Sequence, residues 1–251
     1  MKAVMLAAGV GRRLGSTIDY PKCLLEFGGK SLLERHVEIL LRANVRELVL
    51  GVGFQADRVK SHVKRIAGDM TVRTVVNPAY EEGSVVSLWS LRDYLDSDLL
   101  LMDADVLYDD RIMQRLTTMR HANAFLMDRD FVPGDEPVKL CVRDGAFVEF
   151  RKKVETPFDF CGESVGFFRF SEKISRKLAD TANRYVQSGR RNEPYEEVIR
   201  DVLLAEPQSF AHEDVTGLPW IEIDFPEDVV RARDEILPLL KAPQPQSSTQ
   251  D

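Results

Sequence analysis

A short loop near the N-terminus carries residues suited to binding phosphate. Residues 8–15 read AGVGRRLG and follow directly on an apolar run, so three glycines surround the adjacent arginines Arg12 and Arg13. Glycine lets a backbone come close to a ligand and direct N–H groups at it, as anion-binding loops do. A guanidinium adds a planar fork of donors that matches phosphate geometry. The loop therefore predicts an anion site with phosphate as its ligand.

Carboxylates end two apolar runs elsewhere in the chain. The run at 99–103 leads to Asp105, and the run at 220–224 ends in Asp224, shortly before Pro226. Ligands of open α/β sheets bind outside the carboxyl ends of strands, and Mg²⁺ needs only one or two carboxylates when phosphate supplies further oxygens. Asp105 is therefore a candidate Mg²⁺ ligand. Asp224 is a second candidate, with an ordinary helix N-cap as the alternative.

Two other phosphate-binding motifs fail on this sequence. A dinucleotide-binding GxGxxG motif would need its third glycine where Leu14 stands, with arginines in between. Residues 28–31 read GGKS, like the end of a Walker A loop, but the first glycine of that motif would fall on Leu24. Ser31 and Glu34 instead fit a capping box at the start of a helix. NAD binding and a P-loop are therefore not predicted.

Apolar runs of strand length alternate with stretches of helical period, which predicts βαβ units and a largely parallel sheet. The predicted elements of the first half are strands at 2–7, 47–52, 71–76 and 99–103 and helices near 31–43, 55–66, 84–95 and 109–119. Between 122 and 170 the apolar runs lie closer together around a turn at 143–145, which predicts antiparallel strands. Helices near 171–187 and 193–204, a strand ending at 224 and a helix starting around 226 complete the prediction.

Charge and hydropathy exclude several classes of function. The 251 residues include 34 Lys and Arg against 41 Asp and Glu, a net charge of -7, so phosphate binding must be local and nucleic acid is not an expected partner. No apolar run approaches the roughly 18 residues that a membrane span requires, and the N-terminal run is too short for a signal peptide. We therefore expect a cytoplasmic protein with no membrane insertion.

The cysteines and the C-terminal residues predict little chemistry. Cys23, Cys141 and Cys161 are scattered without a CxxC pair, which argues against a disulfide framework or a thiolate zinc site and suits a reducing compartment. Residues 241–251 have almost nothing to bury and are predicted to be a disordered tail. The sequence does not indicate an oligomeric state.

The first loop resembles the signature of a known enzyme family. The matching residues are Leu6, Ala7, Ala8, Gly9, Gly11, Arg13 and Leu14, followed by Pro21 and Lys22. They are similar to the motif of nucleotidyltransferases that act on sugar phosphates and related alcohol phosphates. The resemblance implies an α/β, Rossmann-like three-layer fold with a mixed, mostly parallel central sheet and a small antiparallel insertion on the substrate side. It implies a single domain over 1–240, with a nucleotide-binding half at 1–120 and an acceptor-binding half at 121–240.

The resemblance also implies roles for individual residues. Arg13 and Lys22 match the catalytic cations at the phosphates of an NTP, Asp105 and Asp224 match the Mg²⁺ ligands, and Arg12 occupies a variable position. The implied nucleotide-binding residues are Leu6, Ala7, Ala8, Gly9, Gly11, Arg13, Lys22, Asn77 and Ser87. The pattern Asp103-x-Asp105 also resembles the metal motif of nucleotide-sugar glycosyltransferases, which are an alternative. A non-catalytic nucleotide-binding module is an alternative of another class.

Further motifs resemble bacterial phosphocholine cytidylyltransferases over roughly residues 1–235. These motifs lie at 77–78, 87–91, 163–166, 195–197 and 222–228. They imply CTP and phosphocholine as substrates, and related enzymes that use aminoethylphosphonate, inositol phosphate or sugar 1-phosphates are alternatives. A quaternary ammonium favours aromatic faces with acidic neighbours. The predicted acceptor-binding residues are Lys139, Glu163, Tyr195, Glu197 and Trp220. Core packing is an alternative explanation for Trp220, and a surface position on an edge strand is an alternative explanation for Lys139.

Overall fold

The computed structural model describes residues 1–15 and 19–240, so the tail predicted at 241–251 lies outside the described residues. Its strands are β1 (Lys2–Ala7), β2 (Glu26–Phe27), β3 (Lys30–Ser31), β4 (Glu47–Val52), β5 (Thr71–Val76), β6 (Leu99–Asp103), β7 (Val106–Tyr108), β8 (Ala124–Asp128), β9 (Lys139–Arg143), β10 (Ala146–Arg151), β11 (Phe160–Phe170), β12 (Ala211–Asp214) and β13 (Trp220–Glu222). Its α-helices are α1 (Leu32–Arg42), α2 (Ala56–Ile66), α3 (Ser84–Ser90), α4 (Asp110–Thr118), α5 (Glu172–Gln187), α6 (Tyr195–Ala205) and α7 (Pro226–Arg231).

The main sheet follows the order β10-β9-β11-β6-β1-β4-β5. Strands β6, β1, β4 and β5 are parallel to one another, with β1 between β6 and β4. Strand β11 runs antiparallel to β6, β8 and β9, and β12 pairs with β8. The sheet is therefore mixed, parallel from β6 to β5 and with antiparallel strands added beyond β6, as predicted.

Helices cover both faces of this sheet. Successive strand residues point to opposite faces, so Met5 packs with residues of α1, α2 and α4, whereas Val4 packs with residues of α3, α5 and α6. Leu101 and Met102 of β6 divide between the same two layers. Parallel strands buried on both faces read as continuous apolar runs, which is why the sequence marks β1 and β6 so clearly. The result is the predicted three-layer architecture.

Local signals explain several element boundaries. Ser31 caps α1, because its hydroxyl accepts a hydrogen bond from the Glu34 N–H at 3.1 Å. The Asp144-Gly145 turn joins β9 and β10, and both residues have positive φ angles of 49° and 74°. Asp and Gly tolerate this left-handed conformation better than other residues. The predicted hairpin and the N-cap at Ser31 are therefore confirmed, whereas the Glu34 half of the predicted capping box stays a prediction.

Other boundaries differ from the sequence-based expectation. The helix expected at 84–95 ends at Ser90, and a separate 3₁₀ turn follows at Arg92–Tyr94. Strands β7 and β12 were not predicted, since β7 is short and β12 has the polar sequence AHED. Strand β12 forms by backbone pairing with β8, a contact that the local pattern does not encode. Within the described residues, no helix is both long and apolar enough to cross a membrane.

Candidate active site

The glycine loop lies at the carboxyl end of β1, beside the carboxyl end of β6. Gly11 has a φ angle of 66°, and a Cβ at this position would lie 3.1 Å from Cγ of Lys22. Glycine therefore lets the lysine stem cross the loop closely. Beside the loop is a cavity of about 100 Å³, lined by Leu6, Ala7, Gly9, Gly11, Lys22, Cys23, Ala104 and Asp105. The sequence-predicted loop residues and one predicted metal ligand thus converge on one cavity.

Lys22 stands between the two aspartates predicted to bind Mg²⁺. Its Nζ is 3.1 Å from Oδ2 of Asp105 and 2.6 Å from Oδ1 of Asp224. Burial disfavours the ammonium, but the two carboxylates outweigh this effect and raise the pKa of Lys22 above its ordinary value. Burial likewise favours neutral Asp224, yet Lys22 and then Arg13 hold the pKa of Asp224 below its usual range. The site therefore contains a cation held between two carboxylate side chains.

Asp105, Glu222 and Asp224 form a cluster that suits a divalent cation. One carboxylate oxygen of each lies within 4.8 Å of the others. The Ile223 N–H donates to the Asp105 carbonyl at 3.0 Å, which holds the end of β13 against the turn after β6. Mg²⁺ prefers such hard oxygen ligands and takes few of them from protein when phosphates contribute. The donor set therefore fits the Mg²⁺ ion that the family resemblance implies.

The cluster's electrostatics agree with cation binding. Desolvation, and then the charges of Asp105 and Asp224, hold the pKa of Glu222 well above its ordinary value, although part of the side chain reaches solvent. Repulsion from the two neighbouring carboxylates is the second cause of this raised pKa, after burial. A divalent ion would relieve this repulsion.

The alternative of an N-cap role for Asp224 is not realised. Helix α7 is instead capped from within, because Oδ2 of Asp228 accepts from the N–H groups of Asp224 and Phe225 at 3.0 and 2.8 Å. This leaves the Asp224 carboxylate facing Lys22 rather than its own helix. The role of Asp224 as a metal ligand stays a prediction.

Arg13 reaches across the site to a loop of the second half of the chain. Its guanidinium donates to Glu136 at 2.7 Å and lies 3.4 Å from Asp224. Glu136 also accepts from Nζ of Lys152 at 3.0 Å. About half of the Arg13 side chain is exposed, so this pair is held in a solvent-screened position. Arg13 therefore has an anionic partner at the place where a phosphate is predicted to bind.

Asn77 and Ser87 form a buried polar pair rather than open ligand donors. The Asn77 side-chain amide donates to the Ser87 hydroxyl at 3.1 Å, and its carbonyl accepts from the Ala79 N–H at 2.9 Å. These bonds shape the turn between β5 and α3. Ala8, predicted with them, uses its carbonyl to accept from the Phe54 N–H at 3.1 Å. Their contact with a nucleotide stays a prediction.

The predicted acceptor residues divide between separate cavities. Glu197 lines a cavity of about 520 Å³ together with Lys152 and Glu196, whereas Glu163 and Trp220 line one of about 400 Å³. Tyr195 lines a small space of about 30 Å³ that shares Lys152 and Glu196 with the first cavity. The structure therefore brings Glu163 and Trp220 together and leaves Tyr195 and Glu197 apart from them.

The cavity around Trp220 is strongly acidic and reaches the carboxylate cluster. The indole Nε1 donates to Oδ2 of Asp128 at 2.7 Å, which fixes the ring at the cavity wall. Burial, and then the Asp128 carboxylate, raise the pKa of Glu163 to about 7. Arg231 is the basic residue of the wall, whose acidic residues are Asp128, Asp130, Asp135, Glu136, Glu163, Glu222, Asp224 and Asp228. An aromatic face among carboxylates suits an organic cation.

Tyr195, Glu197 and Lys139 have protein partners instead. The Tyr195 hydroxyl donates to Asp103 at 2.7 Å, and the residue is only 4% exposed. Glu197 accepts two hydrogen bonds from Nη2 of Arg151, both at 2.8 Å. Nζ of Lys139 donates to the carbonyls of Gly134 and Lys152 at 2.6 Å each and lies 3.4 Å from that of Pro137. Their roles in acceptor binding stay predictions.

Sequence reasoning missed several residues of the site. Glu222 could have been found, because Trp220, Glu222 and Asp224 recur at period two and therefore share one side of β13 and its continuation. Glu136 and Lys152 gave no such signal, since they lie in an irregular loop and at the end of β10. Only the pairing of β9, β10 and β11 brings them opposite Arg13.

Comparisons with known proteins concern the sequence and the fold of the chain. A family model described as the MobA-like NTP transferase domain matches residues 3–150. The CMP-5'-(3-aminopropyl)phosphonate synthase of Streptomyces rubellomurinus is 27% identical over 239 residues, covering 91% of this chain and 37% of that protein. The CTP:phosphoglutamine cytidylyltransferase of Campylobacter jejuni is 24% identical over 251 residues, covering 91% of this chain and 98% of the relative.

A solved structure shares the fold. The inositol-1-phosphate CTP transferase from T. maritima superposes with a TM-score of 0.76 at 20% identity, covering 95% of this chain and 94% of that one. At this identity the likeness concerns the fold alone. The Rossmann-like architecture described above is therefore that of known nucleotidyltransferases, while the relatives differ in the acceptors that their names give.

Proposed function

This chain belongs to the MobA-like NTP transferase domain family and is a nucleotidyltransferase of the cytidylyltransferase or sugar-phosphate type, and we propose that it transfers CMP from CTP to phosphocholine with Mg²⁺. An oxygen of the acceptor phosphate attacks the α-phosphorus of CTP, and pyrophosphate leaves. A phosphate oxygen is already ionised at neutral pH, so no side-chain nucleophile is required. Catalysis then rests on positioning and on charge stabilisation.

The observation that carries the reaction class is the position of Lys22. It crosses the glycine loop at Gly11 and lies between Asp105 and Asp224, so a cation and two carboxylates lie together beside the loop. This arrangement fits a triphosphate, whose negative charge needs ammonium and guanidinium donors and a metal ion. It does not fit hydride transfer or hydrolysis by a side-chain nucleophile, for which the site offers no partner residues among those described.

Each charged residue has a definable task in this proposal. Asp105, Asp224 and Glu222 would hold Mg²⁺, which when bound supplies positive charge to the phosphate oxygens. Lys22 and Arg13 exchange their carboxylate partners for phosphate oxygens when CTP enters. They then offset the charge that shifts onto the departing pyrophosphate, where fixed donors contribute most. The glycine loop directs backbone N–H groups at the same oxygens.

The acidic cavity supports a cationic acceptor. Trp220 offers an aromatic face, and Asp128 and Glu163 place carboxylates beside it. The same cavity is also lined by Asp224 and Glu222. An acceptor whose ammonium group binds near Trp220 would therefore place its phosphate group near the carboxylate cluster. Each cation–π contact contributes about 0.5–2 kcal/mol, depending on desolvation. The relatives named for aminopropylphosphonate and phosphoglutamine also act on phosphorylated or phosphonylated compounds.

Pyrophosphate release tests both the base and the acceptor. Purified protein with Mg²⁺ is assayed with each of four NTPs against phosphocholine, phosphoethanolamine, aminoethylphosphonate, inositol phosphate and glucose 1-phosphate. We expect release with CTP and phosphocholine, and a product mass equal to that of CDP-choline. Omitting the acceptor is the control for simple NTP hydrolysis.

The other outcomes separate the alternatives. Release with inositol phosphate or a sugar phosphate, but not with phosphocholine, would retain nucleotidyl transfer and contradict the cationic acceptor. Transfer from a nucleotide sugar would support the glycosyltransferase alternative. CTP binding without release for any acceptor would support a non-catalytic nucleotide-binding module.

A further inference from the structure

Two of the three cysteines face each other across neighbouring strands. Cys141 of β9 is directly opposite Cys161 of β11 in an antiparallel register. In the same register the Ser164 N–H donates to the Val138 carbonyl at 2.8 Å. Ser164 and Val138 are therefore a hydrogen-bonded pair, and such pairs alternate with non-hydrogen-bonded pairs along an antiparallel ladder. Cys161 and Cys141 lie three positions further along this ladder, so they form a non-hydrogen-bonded pair. Facing Cα atoms at these positions are about 4.5 Å apart, and their side chains approach more closely than elsewhere in a ladder.

This placement meets the geometric requirement of a disulfide. Bridged cysteines have Cα atoms about 4.4–6.8 Å apart, and both side chains here lie on one face of the sheet. Both thiols are free, and each is close enough to affect the other, since burial and then the Cys161 thiol raise the pKa of Cys141 to about 12. Cys141 is fully buried, whereas Cys161 is partly exposed. An oxidant therefore reaches Cys161 first.

We propose that Cys141 and Cys161 are a modification site, at which hydrogen peroxide converts the two thiols into a reversible disulfide. The Cys161 thiolate attacks one peroxide oxygen, the O–O bond breaks, and hydroxide leaves to give a sulfenic acid. The Cys141 sulfur then attacks the Cys161 sulfur and displaces a second hydroxide, which takes up a proton as water. In total two thiols and one peroxide give one disulfide and two water molecules. A dithiol reductant reverses the reaction.

The fold explains why this bond forms within the native protein. Hydrogen bonds of the β9–β11 ladder already hold the two residues opposite each other, so closing the disulfide needs no change of register. The next facing pair on the same side of the sheet is Lys139 and Glu163, and Glu163 lines the acidic cavity. The disulfide would therefore join β9 and β11 one same-face pair away from Glu163 and the acidic cavity. Cys23 is buried beside the glycine loop and has no cysteine opposite it.

The test is a thiol map of the native full-length protein. The native protein is treated with a small excess of hydrogen peroxide, and the peroxide is then removed. Because Cys23 and Cys141 are buried, the protein is next unfolded in urea and its remaining thiols are alkylated, and the digest is analysed by mass spectrometry without reductant. We expect a cross-linked peptide pair containing Cys141 and Cys161, the loss of two hydrogen atoms from the intact mass, and full reversal by dithiothreitol. Cys23 should remain alkylatable.

Two variants and one unfolded control keep the test decisive. Cys23→Ser should form the same cross-link, whereas Cys161→Ser should form none inside the chain. Oxidation in 6 M urea should lose the selectivity, because the register is then absent. Sulfinic acid at Cys161 with Cys141 still alkylatable, or pairing with Cys23, would overturn the proposal. If Cys161→Ser does not fold, Cys141→Ala replaces it and should likewise form no cross-link between positions 141 and 161. The cross-link expected in Cys23→Ser is measured in the same way, and neither measurement depends on enzymatic activity.

Discussion

The proposed nucleotide side and the proposed acceptor side of this molecule are built in different ways. On the nucleotide side, one cavity is lined by residues from the end of β1, from the glycine loop and from the 3₁₀ turn at Lys22–Leu24, namely Leu6, Ala7, Gly9, Gly11 and Lys22. The acceptor side draws Asp128, Glu163 and Trp220 from three strands that lie far apart in the chain. Tyr195 and Glu197, which were also predicted to bind the acceptor, line other cavities. A contiguous motif is therefore a reliable guide to a site, whereas dispersed residues depend on how the strands pair.

Removing the central cation should give the largest effect on the nucleotide side. We expect Lys22→Ala to lower kcat by about 10²-fold or more, on the scale of losing a transition-state donor. The matched control is Lys30→Ala, because Lys30 pairs with Glu38 on the surface, away from the site. Steady-state pyrophosphate release measures both. Equal rates for the two folded variants would contradict the role of Lys22.

Changing the aromatic wall should affect the acceptor side alone. We expect Trp220→Leu to raise the KM for phosphocholine by about tenfold, the upper range of a lost cation–π contact, while the KM for CTP stays unchanged. Trp89→Leu is the control, since the chain has only two tryptophans and the Trp89 indole bonds to Asn183 on the other side of the sheet.

The same pair of residues allows a direct binding measurement. In a Trp89→Phe protein the remaining fluorescence comes from Trp220, and phosphocholine should quench it in a saturable way. If phosphocholine does not quench the fluorescence and another acceptor does, phosphocholine is contradicted as the acceptor and the other compound is supported.

The acidic cavity should also show a dependence on pH. Because the pKa of Glu163 is raised to about 7, its side chain is neutral below that pH and charged above it. Attraction for a quaternary ammonium therefore strengthens as pH rises through 7, and we expect kcat/KM for phosphocholine to rise several-fold between about pH 6 and 8. Glu163→Gln should flatten this rise relative to the parent protein. Parallel pH profiles for the two proteins would contradict the assignment, since the acceptor phosphate titrates identically in both.

The contact between the two sides should have the smallest effect. Glu136 holds Arg13 at 2.7 Å and competes with the phosphate that Arg13 is proposed to bind. We expect Glu136→Gln to lower the KM for CTP about two- to fivefold, the scale of an exposed ion pair. Asp135→Asn removes the same charge one residue away, 3.9 Å from Lys153, and serves as the control. A higher KM in Glu136→Gln would show instead that Glu136 positions Arg13 for the nucleotide.

The alternation of apolar runs located the principal strands because buried parallel strands need continuous apolar sequence, and β1, β4, β5 and β6 match the predicted bounds. Glycine located the loop after β1 and the turn between β9 and β10 for equally local reasons. The strand β12 and the division of the acceptor residues between cavities could not be predicted. Hydrogen bonding between strands and the packing of α6 decide them, and neither leaves a local pattern.

The sequence by itself determined the glycine loop, its two cations and the two strand-end aspartates, because backbone conformation and strand ends are set by neighbouring residues. Only the tertiary structure decided that Lys22 lies between Asp105 and Asp224, that Glu222 joins them, and that Cys141 faces Cys161. These contacts join residues distant in the chain. They depend on the order and register of the strands. Strand order and register are fixed by the need to bury apolar side chains on both faces of the sheet, and those side chains come from distant parts of the chain.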